Sequence, residues 1–269
     1  MEAYWRESPS FSRVEVMQIP MVGRLAVGSS IKVLLLGLIA LAVIVEGVSA
    51  PIEWLWPYRF GGNTHWQGTT RDNYVSLTFD DGPSRFTERI LNVLTEHGVS
   101  ATFFVMGRQV ERFSETVKRM ASEGHEVGNH TFSFEARRCL HKLYFSGNGD
   151  DVSRTQEIIE AVTGKAPRYF RSPGGQMGRG LWRAIREYDL EVVYGTLPFP
   201  RPEESAESQL RTVLDNLKPG GIVILHDGDD HHPGSDRPRA TVELLPQLLN
   251  ELNNRGYRVV SLDEIFQEK

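Results

Sequence analysis

The sequence is poor in the features that would place it in several functional classes. One cysteine, Cys139, occurs in 269 residues, which excludes an intrachain disulfide and a cysteine-based zinc cluster. A lone thiol of this kind is usually a small buried hydrophobe. Positive charge is in the minority, 30 Lys and Arg against 35 Asp and Glu, for a net charge of −5. No basic stripe interrupts that balance, so a nucleic-acid surface is not expected. Internal repeats and low-complexity tracts are absent as well. Long apolar runs are scarce. The conspicuous one, residues 33–45, is shorter than the roughly 20 residues of a full membrane span.

That run reads as a targeting segment. Arg24 and Lys32 precede it and Glu46 closes it, so the N-terminus is expected to stay in the cytoplasm while the rest crosses. Val48-Ser49-Ala50 has the small residues of a cleavage site, whereas Pro51 directly after it opposes cleavage. Adding residues 29–32 and 47–50 makes a short anchor feasible, and Met21 opens a more conventional leader. The expected organisation is a signal peptide or membrane anchor within residues 1–50, a Trp-, Pro- and Gly-rich linker over 51–72, and one domain over 73–269. That domain, anchored or secreted, is expected outside the cytoplasm.

Within it, apolar β-rich runs alternate with amphipathic stretches. The runs cover residues 74–79, 101–105, 126–128, 168–171, 191–195, 222–226 and 258–262. Helical patterns over 86–97 and 109–123 stop at Gly98 and Gly124, and further ones cover 152–162, 180–187, 205–217 and 240–254. Seven strands alternating with helices predict an α/β fold with a parallel sheet, and the regular repetition favours a barrel.

The ionisable residues gather at the carboxyl ends of these runs, where a βα barrel builds its site. Asp80-Asp81 follows the first run, His130 the third, Arg171 the fourth and His226-Asp227 the sixth. Adjacent carboxylates leaving a strand point in different directions, so one can hold a cation while the other handles protons; a helix N-cap pair is the structural alternative. His130 has the chemistry of a metal ligand, although a lone histidine is more often structural. Arg171 can hold a carboxylate through a bidentate contact or form a structural ion pair. His226 beside a carboxylate can act as a general acid near neutral pH.

Thr78-Phe79-Asp80-Asp81-Gly82-Pro83, Gly128-Asn129-His130-Thr131, Phe170–Gly175 and Leu225-His226-Asp227 resemble, in order and spacing, the motifs of the NodB-type polysaccharide deacetylases, carbohydrate esterase family 4. The resemblance spans residues 74–266. It implies a distorted (β/α)7 barrel and a hydrolase that removes N-acetyl groups from the amino sugars of a chitin-like or peptidoglycan polysaccharide or oligosaccharide. It implies Asp81 and His130 as ligands of a divalent metal, usually zinc with cobalt or another divalent ion as alternatives. Asp80 is then the base, Arg171 its orienting partner and His226 the acid, with Leu225 lining an acetyl-methyl pocket and Pro173 and Gly174 beside the substrate.

Two departures from the family pattern stand out. The second motif normally ends in another histidine four residues after the first, and here that position is Phe134, which cannot bind a metal. Glu135 is the favoured substitute ligand, with the loop Asp229-Asp230-His231-His232 or an added water as alternatives. After the fifth strand, Tyr194–Pro200 lacks the usual Trp and Asp, leaving Asp227 or a main-chain carbonyl to orient His226. The rival reading of these losses is a carbohydrate-binding or scaffold domain without turnover.

Overall fold

The computed structural model describes residues 64–267 with the exception of 71, 134–148, 176, 197–199, 202 and 230–234. The apolar run at 33–45, Phe134, Glu135, Asp230, His231 and His232 lie outside the described residues. Among the described residues, no helix is long and apolar enough to cross a membrane.

All seven predicted strands form: β2 (Tyr74–Asp80), β3 (Thr102–Val105), β4 (Glu126–Asn129), β5 (Tyr169–Phe170), β6 (Glu191–Val193), β7 (Gly221–His226) and β8 (Arg258–Val259). A further two-residue strand, β1 (Thr64–His65), pairs with β6 from within the stretch read as a linker. Every pairing is parallel, in the order β1-β6-β5-β4-β3-β2-β7, with β8 beside the start of β2. Past the strands, Gly68 N–H donates to Gly220 O at 2.7 Å and Thr196 N–H to Ile222 O at 2.9 Å. These bonds draw the β1–β6 end of the sheet onto β7, giving the distorted βα barrel expected from the sequence.

The helices are α1 (Thr87–His97), α2 (Gly107–Arg112), α3 (Ser114–Ser122), α4 (Gly149–Thr163), α5 (Arg179–Glu187), α6 (Ala206–Asn216), α7 (Arg239–Asn254) and α8 (Leu262–Ile265). The single helix predicted over 109–123 is two helices. Phe113 breaks it, its φ of −128° and ψ of 41° lying outside the helical region. The last predicted strand is shorter than its apolar run because Ser261 caps α8, accepting a bond from Glu264 N–H at 3.1 Å. Gly98 closes α1 in the left-handed conformation its position predicts.

Strand alternation explains where the polar residues go. Val75, Leu77 and Phe79 of β2 are fully buried with Ile90, Leu91 and Leu94 of α1 and Leu245, Leu248 and Leu252 of α7. Ser76, Thr78 and Asp80 therefore point to the opposite, inner face. Parallel strands are usually apolar on both faces; these are not, because the inner face carries the site.

One buried histidine gives the fold a pH dependence. His125, at the start of β4, accepts from Ala101 N–H through Nδ1 at 3.1 Å. Its Nε2 is buried without a hydrogen-bond partner. Burial lowers its pKa below the ordinary value, partly offset by Glu123. The unfolded chain therefore takes up this proton more readily, so the stability contribution is full above about pH 6.5 and is lost as the pH falls from there. Denaturant unfolding of His125→Asn between pH 5 and 8 should show a flatter pH dependence than the parent; an equal slope would assign the dependence elsewhere.

Candidate active site

The site begins with a sharp exit from β2. Asp80 is the last strand residue and is 6% exposed. Asp81 follows with φ of 70°, a left-handed conformation that costs a non-glycine residue roughly 1–3 kcal/mol and persists only where its surroundings enforce it. A cis Gly82-Pro83 bond then leads to α1. The turn is held by Met106 N–H, which donates to Gly82 O at 2.9 Å.

Arg171, 3% exposed just beyond β5, is the organising cation. Its Nη1 donates to Asp80 Oδ1 and to Thr78 Oγ1, both at 2.7 Å, and its Nε donates to Val193 O at 3.0 Å. Its guanidinium lies 4.1 Å from the ring centroid of Phe104, a cation–π support from β3. That ring needs the missing side chain at Gly128, where a Cβ would stand 2.7 Å from two Phe104 ring carbons. Burial lowers the Arg171 pKa, with Asp80 acting in the opposite sense.

His130, 2% exposed, enters from the end of β4. Its Nδ1 donates to the carbonyl oxygen of Arg171 at 2.7 Å, and its Nε2 faces Asp81 Oδ1 at 3.3 Å, a lone-pair donor in the neutral ring and an ion-pair partner in the protonated one. Burial opposes the charged imidazole, but Asp80 and Asp81 outweigh it and raise the pKa above the ordinary value. The next residue, Thr131, also has a positive φ, 66°, held by Asn129 Oδ1, which accepts from Thr131 N–H at 2.9 Å.

A divalent cation fits this pair. Two donors on one tetrahedral zinc, at bonds near 2.0 Å, stand about 3.3 Å apart, and the carbonyl bond to Nδ1 is the outer contact that fixes a ligating imidazole. Among the described residues, no group of three His, Cys, Asp or Glu could hold a metal. Of the substitutes considered for the missing ligand, Asp229 is engaged elsewhere, accepting from Ser235 Oγ at 2.6 Å and lying 3.4 Å from Arg237 Nη1. Glu135, Asp230, His231 and His232 lie outside the described residues.

His226 stands level with Asp80 across the β2–β7 ladder and is half-buried on the inner face. Leu225 is a correction. It pairs with Phe79, is fully buried and belongs to the outer core, so alternation turns it away from His226 and from any acetyl pocket. Ile224, partly exposed and opposite Thr78, takes the inner position instead. Pro173 is buried and Gly174 exposed, with φ of 63°, in the turn that follows Arg171.

Asp227 does not orient His226. Its carboxylate accepts from Thr87 Oγ1 at 2.6 Å, and its other oxygen is buried without a partner. Burial, with the charges of Asp81 and Asp80 and against the Thr87 bond, pushes its pKa up to about 7. No sequence pattern marks this contact, since Thr87 reads only as the start of a helix.

The Asp80–Arg171 pair is buried on both sides, so breaking it strands a charge. Arg171→Met should lower the unfolding free energy by about 3–5 kcal/mol in a denaturant titration. A loss under about 1 kcal/mol would mean that Asp80 is neutralised in some other way.

Comparison with known proteins agrees with this geometry. A family model described as polysaccharide deacetylase matches residues 67–193. A chitooligosaccharide deacetylase of Bradyrhizobium is 34% identical over 202 residues, covering 71% of this chain and 90% of that protein. The crystal structure of a peptidoglycan N-acetylglucosamine deacetylase superposes with a TM-score of 0.68 at 31% identity, covering 79% of this chain and 97% of that one. A mutant of a CE4 family pseudoenzyme with restored enzymatic activity superposes at 0.64 and 25% identity, covering 78% and 73%. With its motifs gathered at the carboxyl ends of a parallel barrel, the chain belongs to the polysaccharide deacetylase family.

Proposed function

We propose that this chain is a metal-dependent hydrolase that removes N-acetyl groups from the amino sugars of a cell-envelope glycan, peptidoglycan or chitin-like, with its domain outside the cytoplasm, either anchored by the N-terminal segment or secreted. The observation that carries the reading is the pairing of Asp80 with Arg171 beside the Asp81–His130 donor pair. A divalent cation on Asp81 and His130, zinc or cobalt, would polarise the acetyl carbonyl and make water more acidic.

The chain's own residues supply the proton transfers. Arg171 occupies Asp80 Oδ1 and leaves the other oxygen to take a proton as water adds to the acetyl carbon. The carbon–nitrogen bond then breaks as His226, in its protonated form, gives a proton to the departing amine. The products are acetate and a free amino sugar. Gly174, exposed in the turn that follows Arg171, would stand beside the sugar.

A second reading, glycan binding without turnover, is favoured by one residue, Phe134, which replaces a family ligand, and by likeness to a fold that includes a pseudoenzyme. The full chain incubated with N-acetylated chito-oligosaccharides and with peptidoglycan should release acetate, lose that activity to a chelator and regain it with Zn²⁺ or Co²⁺. Asp80→Asn should lower kcat by about 10²–10⁴-fold. No acetate from any of these substrates, with either metal supplied, would overturn the enzyme reading in favour of the binding one.

A further inference from the structure

Asp227 is an expensive residue that the reaction does not use. It is fully buried, and one carboxylate oxygen has no hydrogen-bond partner, an arrangement that costs free energy unless something is gained by it. Its carboxylate meets the turn that carries Asp81 and the first residue of α1. The carboxylate packs on the bare Cα of Gly82, where a Cβ would stand 2.0 Å from Oδ2 and 2.3 Å from Cγ. Oδ2 accepts from Thr87 Oγ1 at 2.6 Å, and Thr87 Oγ1 in turn accepts from Ser84 N–H at 2.8 Å.

The main chain of the same residue closes the clamp. Asp227 N–H and Gly228 N–H donate to Asp80 O at 3.2 and 3.4 Å. Ser84 Oγ donates to Asp227 O. A Cβ on Gly228 would stand 2.0 Å from Asp81 O, so the two segments touch backbone to backbone. Asp80, Gly82, Ser84 and Thr87 are thus tied to residues 227–228 on both sides of Asp81, whose φ of 70° needs such enforcement.

We infer that Asp227 is a positioning residue that acts through the Gly82 turn, holding Asp81 in its left-handed conformation so that its carboxylate faces His130 Nε2. The inference rests on the reading of Asp81 and His130 as a cation pair. It goes beyond that reading by assigning the precision of the pair to a residue that touches neither the cation nor the substrate.

The test is Co²⁺ binding by the full chain, followed through the visible absorption of the bound ion and independent of turnover. Asp227→Ala should weaken Co²⁺ by about tenfold or more, the scale expected when support behind a ligand is lost, and should alter the absorption band. Asp227→Asn, which keeps the acceptor for Thr87 and the volume against Gly82, should stay near the parent. Thr87→Val, a milder change should Asp227→Ala fail to fold, should weaken Co²⁺ several-fold with helix content retained. Parent-like affinity in both Thr87→Val and Asp227→Ala, or in Thr87→Val alone where Asp227→Ala does not fold, would overturn the inference. So would an Asp227→Asn loss as large as that of Asp227→Ala, which would assign the effect to charge. A parent chain that takes up no Co²⁺ would instead overturn the cation reading and this inference with it.

Discussion

The buried contact between Arg171 and Asp80 is the constraint on which the rest of the site depends. A desolvated ion pair stabilises little unless its remaining hydrogen-bonding capacity is met, and here it is met on the Arg171 side by Thr78 and Val193. The donors and acceptors come from β2, β6 and the end of β5, so the pair forms only when those strands are in register. Phe104 beneath the guanidinium adds β3 to that list, and the space left by Gly128 adds β4. Strand pairing and site assembly are therefore the same event, which is why the interior of this barrel tolerates polar alternation on strands that parallel sheets usually make apolar on both faces.

Much of this was legible in the chain. Val75, Leu77 and Phe79 alternate with Ser76, Thr78 and Asp80, and that period of two already separates a core face from a chemical face. The charged residues at strand ends marked the face where the site would form. What periodicity could not carry was orientation at the resolution of one residue. Leu225, adjacent to His226, belongs to the outer core because neighbours on a strand point oppositely, and only the pairing with Phe79 makes that evident. The break at Phe113 and the two-residue β1 were equally silent, one a local backbone departure and the other too short to show a period. The tie between Asp227 and Thr87 joins residues 140 positions apart, and no local signal announces such a contact.

Backbone strain concentrates where the chemistry is proposed to occur. Asp81 and Thr131 both hold positive φ, one at a candidate ligand and one directly after the other. For Thr131 the β-branched side chain makes the conformation especially unfavourable, and the Asn129 side chain stabilises it from two residues away. Sequence placed His130 at a strand-to-loop transition; the structure adds that the transition is a forced one.

Arg171 contributes to two neighbours by two different parts of itself. Its guanidinium fixes the proposed base, while its main-chain carbonyl fixes the ring of the proposed ligand His130. Those two roles respond differently to mutation, since a side chain can be exchanged and a carbonyl cannot. A one-residue insertion or deletion in β5 would displace the partner of the base and the contact of the ligand in a single step. Substitution at 171 takes the guanidinium from the base and leaves the carbonyl contact to the ligand in place, at the stability cost that breaking a buried pair carries. A side-chain change at 171 thus acts first on the partner of the base, whereas a drift in the length of β5 moves that partner and the contact of the ligand together.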